Sequence, residues 1–425
     1  MAENLDIIEA PDDAAVARAE LDPADAIAKL KAGETLQNVR IQGLRFVGTI
    51  DFAVRLRNCC LVRPIFANTE FQQEFSHVGG VLDRIVVKGK VAFAKPVTFD
   101  GTVLNKCQFT DVQFGGDLKL RTCQIRGKML FVKCAFGGMV DGWELCARTW
   151  LEFKKCHFKG KLDLRSIHCE QGLILNQSVC EGDILLRGAV IHKKLELNGT
   201  RVERMLDLSK AKLHDFVYLE DIEQGPEQRF AFLNAVGERI LVRTDQLTGR
   251  LQSEETHRYA EAMQEYGLLK RTFESLHRYE QEDWAFYRFK VNQRRGCGRS
   301  WSRPWTKVGQ FFDSLFLDLG CGYGANPYRA VLSAGVIILL FAAIYAGGLD
   351  LFYVEKKPFP DLELTAWPNR LLISLMLSVS VFISGLSGIR DLAQSWMNVP
   401  IIIESLLGTL LWGLFIVAFS RKVIR

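Results

Sequence analysis

The stretch LDLRSIHCEQGLILNQSVCEGDILLRGAVIHKKLELNGTRV, Leu162 to Val202, places an apolar residue at every eleventh position. The same phase runs through ten apolar positions without a slip: Leu118, Met129, Val140, Leu151, Leu162, Leu173, Ile184, Leu195, Leu206 and Val217. A second apolar residue follows two positions after nearly every one. Two inward residues around one outward residue are typical of a short β-strand, because side chains alternate faces along an extended chain.

A second pair of inward residues recurs five and seven positions after the first, as in Cys123 and Ile125. Each unit therefore predicts strand, corner, strand, corner, and two units close one coil of a solenoid. Corners need an unhindered backbone, and glycine lies two positions before the first strand in five units: Gly116, Gly127, Gly138, Gly160 and Gly182. The pattern resembles the right-handed β-helix of pentapeptide-repeat proteins in a degenerate form. Looser pairs extend it upstream, which predicts roughly eight coils from Leu36 to Leu219.

The C-terminal quarter carries three apolar runs. Tyr328 to Phe352 contains only two charged residues, Leu371 to Ile389 has none before Arg390, and Val399 to Ser420 is interrupted only by Glu404. Runs of this length predict anchoring in a membrane. The acidic N-terminus does not resemble a secretory signal, so we expect the segment before the first run to stay in the cytoplasm.

Composition narrows the function classes. Nine of the 11 cysteines fall between Cys59 and Cys180 without a CxxC pair, which predicts reduced core residues rather than disulfides or a metal site. The formal net charge of +5 is too small to indicate a nucleic-acid binder. We therefore expect no metal, no cofactor, no catalytic residue and no nucleic-acid partner.

The segment after Gln252 has the apolar spacing of amphipathic helices, with a break near Ser275 to Tyr279 that predicts two helices. Basic residues interleaved with tryptophan follow, as expected where a chain meets an anionic cytoplasmic leaflet. These predicted lipid contacts are Arg294, Arg295, Arg299, Trp301, Arg303, Trp305 and Lys307. Binding of nucleic acid by this cluster is the competing interpretation.

The motif LDLGCGYG, Leu317 to Gly324, resembles the first cofactor-binding motif of S-adenosylmethionine-dependent methyltransferases. That fold needs a second strand with an acidic residue about twenty positions on, but an apolar run without acidic residues extends to Asp350. The stretch DLGCGYGANPYR instead resembles the link into the first transmembrane helix of bacterial proteins that join pentapeptide repeats to a two-span, potassium-channel-like module. IIIESLLGTLLWGLFIVAFSRKVIR, Ile401 to Arg425, resembles the final helix of that module, with Glu404 followed by Gly408 and terminal basic residues.

Topology agrees with this resemblance. Basic clusters flank both ends of the apolar region, so an even number of crossings keeps both on the cytoplasmic side, and the middle run is predicted to enter and return as a pore helix with its loop. The resemblance implies filter residues at Ser384, Gly385, Ser387 and Gly388, although a Thr-Val-Gly-Tyr-Gly sequence is absent and potassium selectivity is not implied. Glu404 is predicted to face the pore or a neighbouring helix, with an interfacial position as the alternative. Gly408 and Gly413 are predicted to allow close helix packing.

The fold class predicted is multidomain. Residues 1–35 form an acidic segment and helical cap, 36–222 a right-handed β-helix, 223–310 a helical linker with a basic neck, and 311–425 an all-α transmembrane module. Within that module the spans are expected near 329–352 and 398–420, with a re-entrant segment near 371–391. The predicted function is an oligomeric channel of the bacterial inner membrane, not an enzyme, with a protein or small molecule bound by the β-helix. The resemblance implies four copies. The alternatives are a membrane-anchored scaffold and, more distantly, a methyltransferase.

Overall fold

The chain forms two compact units, Met1–Glu282 and Asp283–Arg425. A computed structural model describes residues 18–296, 309, 313–320, 322–325, 327–354, 357–358, 367–384 and 395–423. The first unit is a parallel β-solenoid closed at both ends by helices, and the second is a set of apolar helices. This layout confirms the predicted fold class.

The solenoid has four faces, and between Cys107 and Val202 one circuit of the chain adds one strand to each face. Leu118 pairs in parallel with Val140, and Val140 with Leu162, so each coil takes 22 residues, or two of the repeat units. The first face has ten strands, which gives about ten coils rather than eight. The difference arises because early coils are shorter, as in the pairing of Leu36 with Leu56, and because pairing continues beyond Leu219.

The strands of the four faces follow in the order in which a coil visits them. The first face comprises Leu36–Gln37, Val54–Arg57, Phe75–Val78, Val97–Thr98, Leu118–Lys119, Val140–Asp141, Leu162–Asp163, Ile184–Leu185, Met205–Asp207 and Arg229–Ala231. The second comprises Ala19–Glu20, Val39–Gln42, Cys60–Val62, Val81–Asp83, Val103–Asn105, Gln124–Ile125, Cys146–Ala147, His168–Cys169, Val190–Ile191 and Lys212–Tyr218. The third comprises Cys107–Thr110, Met129–Val132, Trp150–Lys154, Gly172–Asn176, Lys194–Glu196 and Val236–Leu241. The fourth comprises Arg45–Ile50, Ile65–Phe71, Val86–Phe93, Val112–Phe114, Ala135–Phe136, His157–Phe158, Val179–Cys180, Arg201–Val202 and Glu223–Gln224.

The solenoid core is built from columns of identical or similar side chains. One column stacks Phe93, Phe114, Phe136 and Phe158 with ring centroids 4.7 to 5.3 Å apart. A neighbouring column stacks Phe109, Phe131 and Phe153, and the two columns meet edge to face. Cys180 continues the first column after Phe158, while Cys107 and Cys169 lie in other columns. Burial raises the pKa of these three thiols to about 12. These thiols therefore stay protonated and act as small core side chains.

The corners combine the predicted glycines with a second feature that the sequence does not indicate. The left-handed conformation recurs every eleven residues, with φ between 52° and 72°, at Thr122, Lys133, Glu144, Lys155, Ser166, Gln177, Gly188, Gly199 and Lys210. Seven of these nine residues are not glycine, so the fold holds them against a preference of about 1 kcal/mol or more per residue. The predicted corner glycines have no positive φ. Gly160 and Gly182 instead lie where a Cβ would overlap the backbone of the preceding coil.

Helices cover both ends of the solenoid. Helix α1, Pro23–Lys31, begins after Asp22, whose carboxylate accepts from the Ala24 amide at 2.9 Å, and it buries Ala26 and Leu30. Pairing at the other end continues to Leu241, past residue 222. Four helices follow: α2 Thr244–Leu247, α3 Gln252–Glu255, α4 Tyr259–Ser275 and α5 Tyr279–Gly296. The break between α4 and α5 confirms the prediction of two helices.

The second unit contains the apolar helices. A π-helical turn, Asp313–Leu319, and a 3₁₀ turn, Gly322–Gly324, precede α6, Pro327–Gly347. A 3₁₀ turn, Leu349–Leu351, and a short antiparallel pair, Tyr353–Val354 with Lys357–Pro358, follow α6. The last helices are α7, Trp367–Ser384, and α8, Asn398–Val423, the latter after a 3₁₀ turn at Ser395–Met397. Two segments, Pro327–Gly347 and Asn398–Ser420, are long and apolar enough to cross a membrane.

Candidate functional site

Helices α7 and α8 both begin beside the C-terminal end of α6. Arg370, in the first turn of α7, contacts Asp350 just beyond α6 at 3.3 Å. Met397, just before α8, packs in a buried cluster with Leu349 and Phe352. Both helices therefore run antiparallel to α6. From this end, α7 runs back along α6, and α8 then does the same.

A polar cluster joins the three helices, near the C-terminal end of α6 and in the second turn of α8. Glu404 of α8 is fully buried, and its carboxyl group contacts the Tyr345 hydroxyl of α6 and the Ser378 hydroxyl of α7. The Ser378 Oγ also lies 2.9 Å from the Ile338 carbonyl oxygen of α6. A buried carboxyl group in an apolar environment is costly unless polar groups surround it. Glu404 thus contacts neighbouring helices, which is one of the alternatives predicted from the sequence.

Close packing between α7 and α8 depends on one of the two predicted glycines. A Cβ on Gly408 would overlap the Phe382 carbonyl oxygen, so only glycine allows α8 to approach α7 at this level. A Cβ on Gly413 would meet no atom within 4 Å among the described residues. Helix packing within the described part of the chain therefore requires Gly408 and not Gly413.

Of the predicted filter residues, Ser384 is the last residue of α7 and is exposed, with its hydroxyl 3.4 Å from the Val381 carbonyl oxygen. Gly385, Ser387 and Gly388 lie outside the described residues. The filter prediction therefore stays a prediction, anchored at one end by Ser384.

A second polar cluster holds the start of α6 against α5. The Asp318 carboxylate accepts from the Tyr287 hydroxyl at 2.8 Å and from Arg294 Nη2 at 2.5 Å. The Tyr323 hydroxyl donates to Asp313 at 2.8 Å, and the Arg329 guanidinium lies 5.2 Å from the centre of the Tyr287 ring. The LDLGCGYG motif, which resembles a cofactor loop, therefore supplies Asp318 and Tyr323 as anchors of the junction with the first apolar helix.

The predicted lipid-contact residues are only partly placed. Arg294 is engaged by Asp318, and hydrogen bonding to that carboxylate raises the pKa of Arg294 against the opposing effect of burial. Arg295 also lies in the last turn of α5. Arg299, Trp301, Arg303, Trp305 and Lys307 lie outside the described residues, so their lipid contacts stay predictions.

The solenoid carries a groove of about 900 Å³ on its first coils. The groove lies along the long strands of the fourth face, where register shifts interrupt the pairing near Gly48 and Lys88. Charged residues of both signs line it, among them Glu70, Lys90 and Lys133. Among the described residues no group of three or more histidine, cysteine or acidic side chains is arranged to hold a metal ion.

Sequence reasoning missed Tyr345, Ser378 and Tyr287. Tyr345 and Ser378 are polar residues within apolar runs, and such residues usually pair with one another, which is a usable signal. Ser378 and Tyr345 lie 26 and 59 residues before Glu404 in the chain, so no local spacing in the sequence indicates their pairing with it. Tyr287 occupies an amphipathic helix in which an aromatic residue has no distinctive position.

The comparisons with known proteins give no relatives. No family model matches the chain, no curated protein matches it, and no solved structure matches it. The parallel β-solenoid and the two span-length apolar helices therefore rest on the structure itself. They are compatible with a membrane protein.

Proposed function

We propose that this protein is an oligomeric, ion-channel-like protein of a bacterial inner membrane, regulated by its cytoplasmic β-solenoid. One observation supports it most: α7 and α8 start at the same end of α6. If α6 and α8 each cross the membrane, α7 starts on the same side as α8. The chain that follows α7 must therefore return to that side before α8 begins. This is the geometry of a pore helix followed by a filter loop.

Chain length permits this return. The Phe382 carbonyl near the end of α7 lies beside Gly408 of α8, about 15 Å along the helix from Asn398. The ten residues 385–394 span up to about 33 Å when extended, which is enough to lead back to Ser395. A pore on a central axis needs several copies, and we propose four. Native mass spectrometry of the purified chain, 48.1 kDa per copy, is expected to give a tetramer.

Single-channel recording tests the channel directly. The purified protein in a planar bilayer is expected to conduct, and replacement of Ser384, Gly385, Ser387 and Gly388 together is expected to abolish or alter the current. Gly413→Ala is the matched control, because its Cβ meets no atom of the described residues within 4 Å. Absence of current at any voltage or membrane tension in the wild-type protein would overturn the proposal.

A membrane-anchored scaffold is the second candidate. The groove on the first solenoid coils favours it, since a polar groove of about 900 Å³ is large enough to bind a ligand or a peptide without any conduction. The same fourfold replacement separates the candidates. A scaffold keeps its partner and its cellular effect when the predicted filter is altered, whereas a channel does not.

A further inference from the structure

A cavity of about 820 Å³ runs along α6 and α8 in the second unit. Its polar end is formed by Tyr287, Asp318 and Arg329, and apolar side chains such as Val336, Leu340 and Leu407 line the rest. The lining residues of α6 extend from Arg329 to Phe341, about 18 Å of helix. The cavity is thus a trough with a polar head and an apolar body, which is the shape and chemistry of a lipid.

Charge at the polar end favours an anion. Asp318 is neutralised by Arg294 at 2.5 Å. Arg329 is exposed, stacks on the Tyr287 ring and forms no ion pair with another described residue, so its guanidinium is open to an anion. Arg294, which holds Asp318, has a buried Nη1 without a hydrogen-bond partner among the described residues. A phosphate group at the head of the trough can bind the Arg329 guanidinium through paired hydrogen bonds.

We propose that this trough binds one anionic phospholipid from the surrounding bilayer, with the phosphate at Arg329 and an acyl chain between α6 and α8. The proposal rests on α6 and α8 crossing a membrane, as the proposed function requires, but not on ion conduction. Because Arg329 also stacks on Tyr287, the bound phosphate stabilises the junction where Tyr287 and Arg294 hold Asp318. Lipid composition then acts on the link between α5 and α6.

Native mass spectrometry of the full-length protein, delipidated in detergent and titrated with phosphatidylglycerol or phosphatidylcholine, tests the site without measuring current. The wild type is expected to retain phosphatidylglycerol preferentially. Arg329→Gln is expected to weaken phosphatidylglycerol binding roughly fivefold, while Arg329→Lys keeps most of it. The matched charge control is Arg370→Gln in α7, which lies beside the opposite end of α6. We expect it to change phosphatidylglycerol binding by less than about twofold.

A pair of tryptophan substitutions tests the trough. Val336→Trp fills the cavity and is expected to reduce binding of both lipids, whereas Leu339→Trp, exposed on the same helix but outside the lining, leaves it unchanged. Equal binding of the two lipids with no effect of Arg329→Gln overturns the proposal. So does a lipid-free wild type whose oligomer dissociates in Val336→Trp, because the trough is then filled by a second copy. Lipid binding without current in bilayers contradicts only the channel.

Discussion

At the scale of single residues, Glu404 has the contacts whose loss is most readily measured. Glu404→Leu removes the acceptor of the buried Tyr345 hydroxyl and one of the two acceptors of the Ser378 hydroxyl, so we expect a loss of about 1–3 kcal/mol in stability, seen as a lower melting temperature in detergent. Glu404→Gln keeps an acceptor and is expected to lose less. Thr409→Val removes a hydroxyl from the exposed side of α8 and is the control. Equal melting temperatures for Glu404→Leu and Thr409→Val would show that the cluster does not hold the helices.

His77 gives the solenoid a dependence on acid. The imidazole is fully buried in the first face, 3.1 Å from the Thr102 hydroxyl, and burial lowers its pKa from 6.5 to about 4. The unfolded chain binds a proton between these values and the folded chain does not. Stability is therefore full above pH 6.5 and is lost as the pH falls toward 4, by about 2 kcal/mol between pH 7 and pH 5.

Melting of the full chain across that pH range checks this prediction. His77→Leu matches the preceding residue of the same column, Leu56, and is expected to flatten the pH dependence. An unchanged pH dependence in His77→Leu would assign the acid sensitivity to other groups.

At the scale of elements, contact between α7 and α8 depends on the absence of one methyl group. Gly408→Ala forces a Cβ into the Phe382 carbonyl, so we expect a cost of about 1–3 kcal/mol as α8 moves away. Gly413→Ala on the same helix is expected to change stability by less than about 0.5 kcal/mol. Thermal unfolding of the two variants in one detergent makes the comparison, and equal losses would contradict the packing described.

The same scale shows what the sequence predicts and what it does not. The 22-residue coil is predicted by the apolar positions that recur between Leu118 and Val217, because each inward position must be apolar. The left-handed corners at Thr122, Lys133 and Glu144 do not follow, because backbone pairing on both sides imposes that conformation on unrelated residue types. The glycines have a different cause. Gly160 is required because a Cβ would overlap the backbone of the neighbouring coil, and not because of its own φ.

The helical site is predictable in its members but not in its pairings. Glu404 is conspicuous as an acidic residue in an apolar run, and Gly408 stands one turn away. Their partners come from other helices, Tyr345 and Ser378 for one and Phe382 for the other. Pairing across helices depends on their relative rotation and depth, and apolar composition alone does not fix either.

At the scale of the whole molecule, the channel needs the α7 segment to enter and leave on one side, whereas the lipid site needs only that α6 and α8 cross the membrane. Helix direction carries this claim, since α7 and α8 both start beside the C-terminal end of α6. With two crossings, the solenoid and the C-terminal residues Arg421 to Arg425 lie on the same side. With three, they lie on opposite sides.

Reporter fusions in a bacterial cytoplasmic membrane decide between two and three crossings. Green fluorescent protein matures to fluorescence in the cytoplasm, and alkaline phosphatase is active only outside it, so each is fused after Pro360 and after Arg425. The account predicts phosphatase activity after Pro360 and fluorescence without phosphatase activity after Arg425. Phosphatase activity after Arg425 would mean that α7 crosses the membrane fully, and it would contradict the re-entrant segment.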